Sequence, residues 1–325
     1  MKKRQIIGFD ILKFVMALII VSIHIPIKNE YLSIFQGVGV PVFFVLSSYF
    51  IFKKARNNSF RLNILETFLK RIGILYLFWF VVNIYFIHID KHYLDLGLIG
   101  GVYLVRDLLF SYTYPGSWFL SALLLAVILI YLVKKINTPD FIIYSIAILI
   151  YVVLYNYKFF PEDFQRPFHI MEKVFRPELS RTFLIGIPWV TLGYFVSNNL
   201  LFNRLKLLSF NKVWYAVFLL IAFFISYNWK STIYILRVFM VLTMLIWAYN
   251  ITLDSNKIYL KLRNASILFF FLHFPILKII SLLHINIFPN SVCKYLFVLT
   301  LCGIFSSLIL TLAEHKRFFW LKYAF

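Results

Sequence analysis

Charged side chains are scarce in this chain of 325 residues. Asp, Glu, Lys and Arg make up 14% of it, against 62% hydrophobic and 20% aromatic residues. A soluble domain needs more polar groups than this to cover its surface. The composition therefore excludes an ordinary soluble protein and indicates a polytopic membrane protein.

Acidic residues are scarcer still, with 13 Asp and Glu against 33 Lys and Arg, for a formal net charge of +20. In an apolar chain, basic residues first of all mark cytoplasmic loops and contact anionic lipid. We therefore expect membrane lipid as a partner and no nucleic acid.

Cysteine is nearly absent: Cys293 and Cys302 lie nine residues apart in an apolar setting. Two such residues exclude a disulfide framework and a cysteine metal cluster. The chain also lacks H-E-x-x-H, a glycine-rich phosphate loop and the G-x-S-x-G turn of serine hydrolases. We expect no metal, no resident cofactor and no serine nucleophile.

Apolar runs of roughly 17 to 25 residues, enough to cross a bilayer, occur about ten times. They start near Gly8, Phe35, Arg71, Ser117, Phe141, Thr182, Val213, Thr232, Ala265 and Tyr295. We interpret Leu96 to Tyr112, which Arg106 and Asp107 interrupt, as interfacial, and Asn156 to Arg181 as a loop. The predicted fold is an all-α transmembrane bundle. Without a polar linker or an internal repeat, it forms one domain over residues 1–325.

The distribution of Lys and Arg predicts the orientation, since short cytoplasmic loops hold the excess. With ten spans and the N-terminus inside, 20 of the 33 fall on the inner side and 10 on the outer side. Both termini are therefore predicted to be cytoplasmic. The other three cations, Lys13, Arg237 and Lys278, lie inside spans, where they either line a cavity or snorkel to the head groups.

The first apolar stretch, "FDILKFVMALIIVSIH" from Phe9 to His24, carries three ionisable groups. Lys13 and His24 are eleven residues apart, which puts them on one helix face about 16 Å apart along the axis. Asp10 lies one turn before Lys13, near enough for an ion pair. It lies too far from His24 to orient it, so an orienting partner must come from another helix. The alternative is that Lys13 and His24 reach the head groups at opposite membrane faces.

Several blocks of the sequence resemble the membrane acyltransferase-3 family, bacterial ten-helix enzymes that transfer acyl groups to surface sugars. The blocks are, in chain order, Asp10 with Lys13 and His24, "PVFFVLSSYF" from Pro41, Arg71 in "LKRIGILYLFW", "SWFLSALL" from Ser117 and "FFFLHFPIL" from Phe269. Three positions depart from the family pattern: Lys13 replaces an arginine, Ser48 a glycine and Phe68 a basic residue.

The resemblance implies an O-acyltransferase, most commonly an O-acetyltransferase, in a bacterial cytoplasmic membrane. Its co-substrate is an acyl-CoA, and its acceptor is a hydroxyl of a surface polysaccharide or of a lipid-linked glycan precursor. In this reading His24 is the general base, and donor or substrate binding falls to the matching polar and aromatic residues. These are Asp10, Lys13, Arg71, Ser47, Trp118 and His273.

Alternatives stay open for several of these residues. Arg71 also fits a plain cytoplasmic-side cation, and Trp118 also fits core or interface packing. A buried His273 bonded within the bundle would be structural. For the whole chain, the alternatives to the enzyme are a transporter of a glycan or lipid-linked glycan and a membrane component of a polysaccharide assembly complex. The acceptor sugar, the choice of acetyl or succinyl and the side of transfer are not fixed by the sequence.

Overall fold

Helices account for the ordered structure throughout the described part of the chain. The computed structural model describes residues 6–27, 29–175, 182–198, 233–251, 253–254, 256–285 and 288–325, and no strand occurs among them. The twelve α-helices of these residues are α1 (Ile7–Ile23), α2 (Glu30–Arg56), α3 (Leu62–Val82), α4 (Ile84–Lys91), α5 (Gly97–Phe110), α6 (Ser117–Lys135), α7 (Asp140–Asn156), α8 (Glu162–Phe175), α9 (Gly186–Val196), α10 (Ile233–Asn250), α11 (Lys257–Leu282) and α12 (Ser291–Leu312). The all-α prediction is confirmed.

Two compact units divide the chain. Unit 1 consists of Met1–Phe43 and Arg204–Phe325, and unit 2 of Phe44–Asn203. Helix α2 contributes its first half to unit 1 and its second half to unit 2. The prediction of one domain over residues 1–325 stays a prediction.

Five helices of the described residues are long and apolar enough to cross a membrane: α2, α6, α7 with its 3-10 extension to Phe159, α11 and α12. The pair α3 and α4, bent by 68°, adds a sixth if it is one broken span. Helix α1 has 17 residues, and the apolar helices at Phe183–Val196 and Tyr234–Asn250 are also short. The count of ten spans and the cytoplasmic termini stay predictions, and the span predicted from Val213 lies outside the described residues.

Two local predictions differ from the structure. The apolar run assigned from Arg71 belongs to a helix that already begins at Leu62, so Arg71 lies in its middle. The predicted loop from Asn156 contains α8, whose first turn carries Glu162 and Asp163. Acidic side chains there stabilise a helix through its N-terminal dipole. A count of apolar residues misses such a helix because half of its surface is polar.

Helix α5 lies within the segment from Leu96 to Tyr112, whose interfacial position stays a prediction. Helix α5 has 14 residues, too few to cross about 30 Å of hydrocarbon. The carboxylate of Asp107 is buried and accepts a hydrogen bond of 2.6 Å from the Tyr93 hydroxyl. It also pairs with Arg106 at 2.6 Å and Lys91 at 3.8 Å. These partners offset the cost of burying Asp107.

In unit 1, α1 packs against α10, α11 and α12. The ring of Phe14 lies 5.5 Å from that of Phe269 on α11. The Tyr295 hydroxyl of α12 donates to the Leu18 carbonyl at 3.0 Å. On α10, the Ala248 carbonyl lies directly against the Cα of Gly8. Helix α1 can therefore carry polar side chains that face protein rather than lipid.

In unit 2, α6 is largely buried. Its Phe119 ring packs edge-on against Phe44 of α2, with centroids 4.7 Å apart. Its Tyr131 hydroxyl donates to the Arg61 carbonyl at 2.7 Å, at the start of α3. Aromatic pairs of this geometry stabilise a core beyond the area that they bury. Trp118 and the second half of α2 are thereby held on neighbouring helices.

Candidate functional site

His24 lies directly after the end of α1. Its backbone N–H donates to the Val21 carbonyl at 3.3 Å, while its side chain is exposed. Ile25, the next residue, is buried. The imidazole is thus accessible at a helix end whose backbone is anchored in the core of unit 1.

His273 lies on α11 and is completely buried. Its Nδ1 lies 2.9 Å from the Phe269 carbonyl oxygen. A carbonyl only accepts, so we assign the proton to Nδ1, and Nε2 of the neutral ring is then an acceptor. This Nε2 is buried and has no hydrogen-bond partner among the described residues. A buried acceptor in this state marks a place for a donor from a substrate or a neighbouring side chain.

The two histidines are neighbours. Their ring centroids are 5.1 Å apart, with an angle of 38° between the planes. Phe274 packs against both rings, at 4.8 Å from His24 and 3.9 Å from His273. The sequence predicts that any orienting partner of His24 comes from another helix, and His273 of α11 lies beside it. The site therefore combines one exposed and one buried imidazole against an aromatic ring.

A second polar contact joins α1 to α2 beside the histidines. The Ser22 hydroxyl donates to the Ile19 carbonyl at 2.6 Å and accepts a hydrogen bond of 3.0 Å from Gln36 Nε2. Neither residue is among the predicted site residues. The signal that could have found them is the presence of uncharged polar groups within apolar segments, where such groups pair between helices.

Arg237 of α10 lies next to the residue that follows Gln36. A Cβ built on Gly37 would lie 2.6 Å from Nε and 2.7 Å from Nη2 of Arg237. The guanidinium therefore packs on the Cα of Gly37, between helices, and its side chain is half-buried. Both alternatives for this cation, lining a cavity and snorkelling to the head groups, stay predictions.

The other end of α1 carries Asp10 and Lys13. Asp10 is buried, 4% exposed, in the first turn of α1, where the helix dipole favours an acid. Lys13 is half-buried one turn later. The ion pair between them and the binding role of both stay predictions.

Three predicted site residues belong to unit 2. Ser47 is half-buried on α2, one turn after Phe44. The half-buried Trp118 lies 6.1 Å from the Phe44 ring, between ring centroids. Arg71 is exposed on α3. Unit 2 thus brings Ser47 and Trp118 onto adjacent helices, whereas Arg71 points to the surface.

A metal centre has no ligand set in the part of the chain that the structure describes. No three His, Cys, Asp or Glu side chains there come together in a group that could hold an ion. The chemistry open to the histidine pair is proton transfer and hydrogen bonding, since neutral imidazole does both near neutral pH.

The apolar helices and the partly buried polar site of unit 1 define the class as a multi-pass, all-helical membrane protein. Residues 6–313 match the family described as an acyltransferase domain, and the chain belongs to this acyltransferase-3 family.

A curated relative is also similar to part of the chain. It is an amino-acid racemase of Enterococcus faecalis, 27% identical over 176 residues, which are 50% of this chain and 23% of that protein. The chain thus spans about a quarter of the length of the curated relative that it matches. No solved structure matches the chain.

Proposed function

We propose that the chain is an O-acyltransferase that moves an acyl group, most commonly acetyl, from an acyl-CoA to a sugar hydroxyl. The acceptor is a bacterial surface polysaccharide or its lipid-linked precursor, and the enzyme works in the bacterial cytoplasmic membrane. The observation that carries the proposal is the exposed His24 imidazole against the buried His273.

In the proposed reaction, His24 accepts the proton of the attacking hydroxyl. The hydroxyl oxygen forms a bond to the thioester carbonyl carbon, and the carbon–sulfur bond of acyl-CoA then breaks. His24 returns the proton to the departing thiolate, so the products are the O-acylated sugar and free coenzyme A. Proton transfer by a positioned histidine contributes about 10²- to 10⁴-fold to a rate.

His273 fits a positioning role in this scheme. Its buried Nε2 lacks a partner among the described residues, and its ring lies against that of His24. A hydrogen bond accepted by Nε2 from an N–H of His24 would leave the other nitrogen of His24 as the proton acceptor. This is the tautomer that a general base requires.

Donor binding in the proposal uses cationic side chains. Lys13 lies about 16 Å from His24 along α1, which is about the length of an extended pantetheine arm. The phosphates of coenzyme A would then lie near Lys13 and the thioester near His24. Arg71 of unit 2 is a second candidate for the phosphates because it is exposed, and Ser47 and Trp118 are candidates for substrate contacts.

The test is acyl transfer by the purified full-length protein in lipid nanodiscs, with radiolabelled acetyl-CoA and an oligosaccharide acceptor. His24→Ala should lower kcat by at least 10²-fold while the protein level and the unfolding temperature stay unchanged. His315→Ala, which changes an exposed histidine of unit 1, serves as the matched control and should keep full activity. Retained transfer in His24→Ala would remove His24 from the mechanism. Glycan binding by the wild type without any transfer would favour the transporter instead.

A further inference from the structure

Arg237 is a cation that the proposed reaction does not use. It lies within the apolar helix α10, and its guanidinium occupies the space above the Cα of Gly37. Only glycine leaves this space open, since a methyl group there would lie within 2.8 Å of three guanidinium atoms. Helix α2 thus forms a cradle for this side chain.

The Arg237 guanidinium has one N–H group without a hydrogen-bond partner among the described residues. This group is the Nε–H, and Nε is buried. No carboxylate of those residues forms an ion pair with it; the guanidinium carbon lies 5.3 Å from the centroid of the Tyr234 ring. Leaving a charged donor buried without a partner costs free energy. An anion that pairs with this side chain would offset the cost.

The Arg237 guanidinium and the His24 imidazole lie at the same end of unit 1. Gln36, whose amide donates to Ser22, directly precedes Gly37, and Ser22 lies two residues before His24. Counting along the helices gives the same level: Ala248 contacts Gly8, and eleven residues, or about 16 Å, separate Arg237 from Ala248. The same rise from Gly8 reaches Ile19, five residues before His24.

We propose that Arg237, held on Gly37, binds an oxyanion of the acyl-transfer substrates, a carboxylate or a phosphate, beside the His24–His273 pair. A guanidinium presents parallel N–H donors that match both groups. The inference rests on the proposed function for the identity of the ligand, since the anion belongs either to the acyl group, as in succinyl, or to the sugar acceptor. The anion site itself does not depend on that function.

Binding is tested first, without catalysis. The purified full-length protein in nanodiscs is titrated with inorganic phosphate and with succinate, at constant ionic strength balanced by chloride, and the thermal midpoint is followed. A ligand that binds only the folded state raises this midpoint. Wild type should show a saturable rise, and Arg237→Gln should weaken the apparent affinity at least tenfold. Equal affinity in wild type and Arg237→Gln, or no rise in wild type, would overturn the site.

Three further variants test whether anion binding depends on the packing of Arg237 on Gly37 or responds to any damage to the protein. Gly37→Ala changes this packing, and the other two are controls. Gly37→Ala should weaken anion binding because its methyl group displaces the guanidinium. Gly303→Ala in the same unit should not, since its Cβ would meet only Phe269, at an ordinary 3.8 Å. Arg317→Gln removes one exposed cation of unit 1 and should leave binding unchanged. A loss as large in Gly303→Ala or Arg317→Gln as in Arg237→Gln would contradict a specific site.

The source of the anion is tested by transfer with paired substrates. Acetyl-CoA and succinyl-CoA are each offered with a neutral glycoside and with a glucuronoside. In Arg237→Gln, kcat/KM should fall about tenfold for pairs with the anion that the site binds and stay near wild type for the neutral pair. If kcat/KM falls only with succinyl-CoA, the anion belongs to the acyl group. If it falls only with the glucuronoside, the anion belongs to the acceptor. An equal fall for every pair would overturn the inference, whereas no transfer by wild type would overturn only the proposed function.

Discussion

The ring of His24 lies 5.1 Å from that of His273, so an exposed imidazole at the end of α1 meets a completely buried one on α11. The buried ring donates through Nδ1 to the Phe269 carbonyl, which fixes its orientation. Because this donor position is used, only Nε2 remains for a functional contact. In the proposed function, His24 would contact the substrate and His273 would keep a fixed orientation.

Two substitutions at His273 distinguish a positioning residue from a packing residue. In His273→Gln the amide oxygen can take the place of the Nε2 acceptor, whereas in His273→Asn the amide can replace only the Nδ1 donor. We expect His273→Asn to lower kcat by about tenfold to a hundredfold, since small misplacements of a catalytic group have costs of this size. His273→Gln should recover most of the loss, with KM unchanged in both. Measured kcat values for the two variants in the transfer assay check this, and equal losses would indicate packing alone.

The sequence predicts helices in both units. Helices α1, α2, α11 and α12 follow from long apolar runs, because such runs have no other way to satisfy their backbone in lipid. The prediction of His24 and His273 as site residues follows from the cost of placing polar groups in apolar segments. Their contact depends on how α1 packs on α11, which no spacing within either helix reveals.

Other features could not be predicted from the sequence, for physical reasons. Helix α8 is missed because it is amphipathic rather than apolar. The cradle at Gly37 depends on a contact with a helix almost two hundred residues away in the chain. The bend of 68° between α3 and α4 interrupts one long apolar stretch of the sequence. Each of these is set by tertiary packing rather than by local composition.

Lys13 is where this chain departs from the arginine of its family, and restoring the arginine tests donor binding. We expect Lys13→Gln to raise KM for acyl-CoA about tenfold with little change in kcat, because a phosphate contact far from the thioester acts on binding. Lys13→Arg should keep or lower this KM, since guanidinium binds phosphate in a bidentate way. Lys322→Gln, at an exposed position, is the control. A KM unchanged in Lys13→Gln would remove Lys13 from the donor site.

Ser48 is the second departure, and its side chain lies directly against Gly193 of α9. The Ser48 hydroxyl donates to the Phe44 carbonyl at 2.7 Å. A Cβ on Gly193 would overlap this hydroxyl oxygen and lie 2.6 Å from the Val45 carbonyl oxygen. Gly193→Ala should therefore destabilise the protein by about 1–3 kcal/mol, as overpacking does.

The control for this overpacking is Gly73→Ala on α3, where an added Cβ meets nothing within 4 Å. In thermal unfolding in nanodiscs, Gly193→Ala should lower the midpoint temperature. Gly73→Ala should leave the midpoint unchanged. Adding Ser48→Gly to Gly193→Ala removes the overlapping hydroxyl and should recover part of the loss. A double variant no more stable than Gly193→Ala alone would show that the Val45 carbonyl, not Ser48, limits the space.

Asp140 at the start of α7 holds a cluster of polar side chains together in unit 2. Its Oδ1 lies 2.5 Å from Lys134 Nζ and accepts a hydrogen bond of 2.7 Å from the Tyr194 hydroxyl. Its Oδ2 lies 3.4 Å from Arg56, whose guanidinium also packs on the Tyr194 ring at 4.1 Å. One carboxylate thus serves two cations and a phenol, with its side chain 29% exposed.

Asp140→Asn keeps the size of this side chain but removes its charge, which leaves Arg56 and Lys134 facing each other without a counterion. We expect a loss of about 1–2 kcal/mol, because hydrogen bonds to charged groups are among the stronger ones but partial exposure screens the charges. Glu66→Gln breaks the exposed pair with Lys70, where both side chains are more than 60% exposed, and should leave the unfolding midpoint unchanged. Salt offers a further check, since the deficit of Asp140→Asn should shrink at high ionic strength as repulsion between the two cations is screened. A deficit that is independent of salt would assign the loss to the Tyr194 hydrogen bond instead.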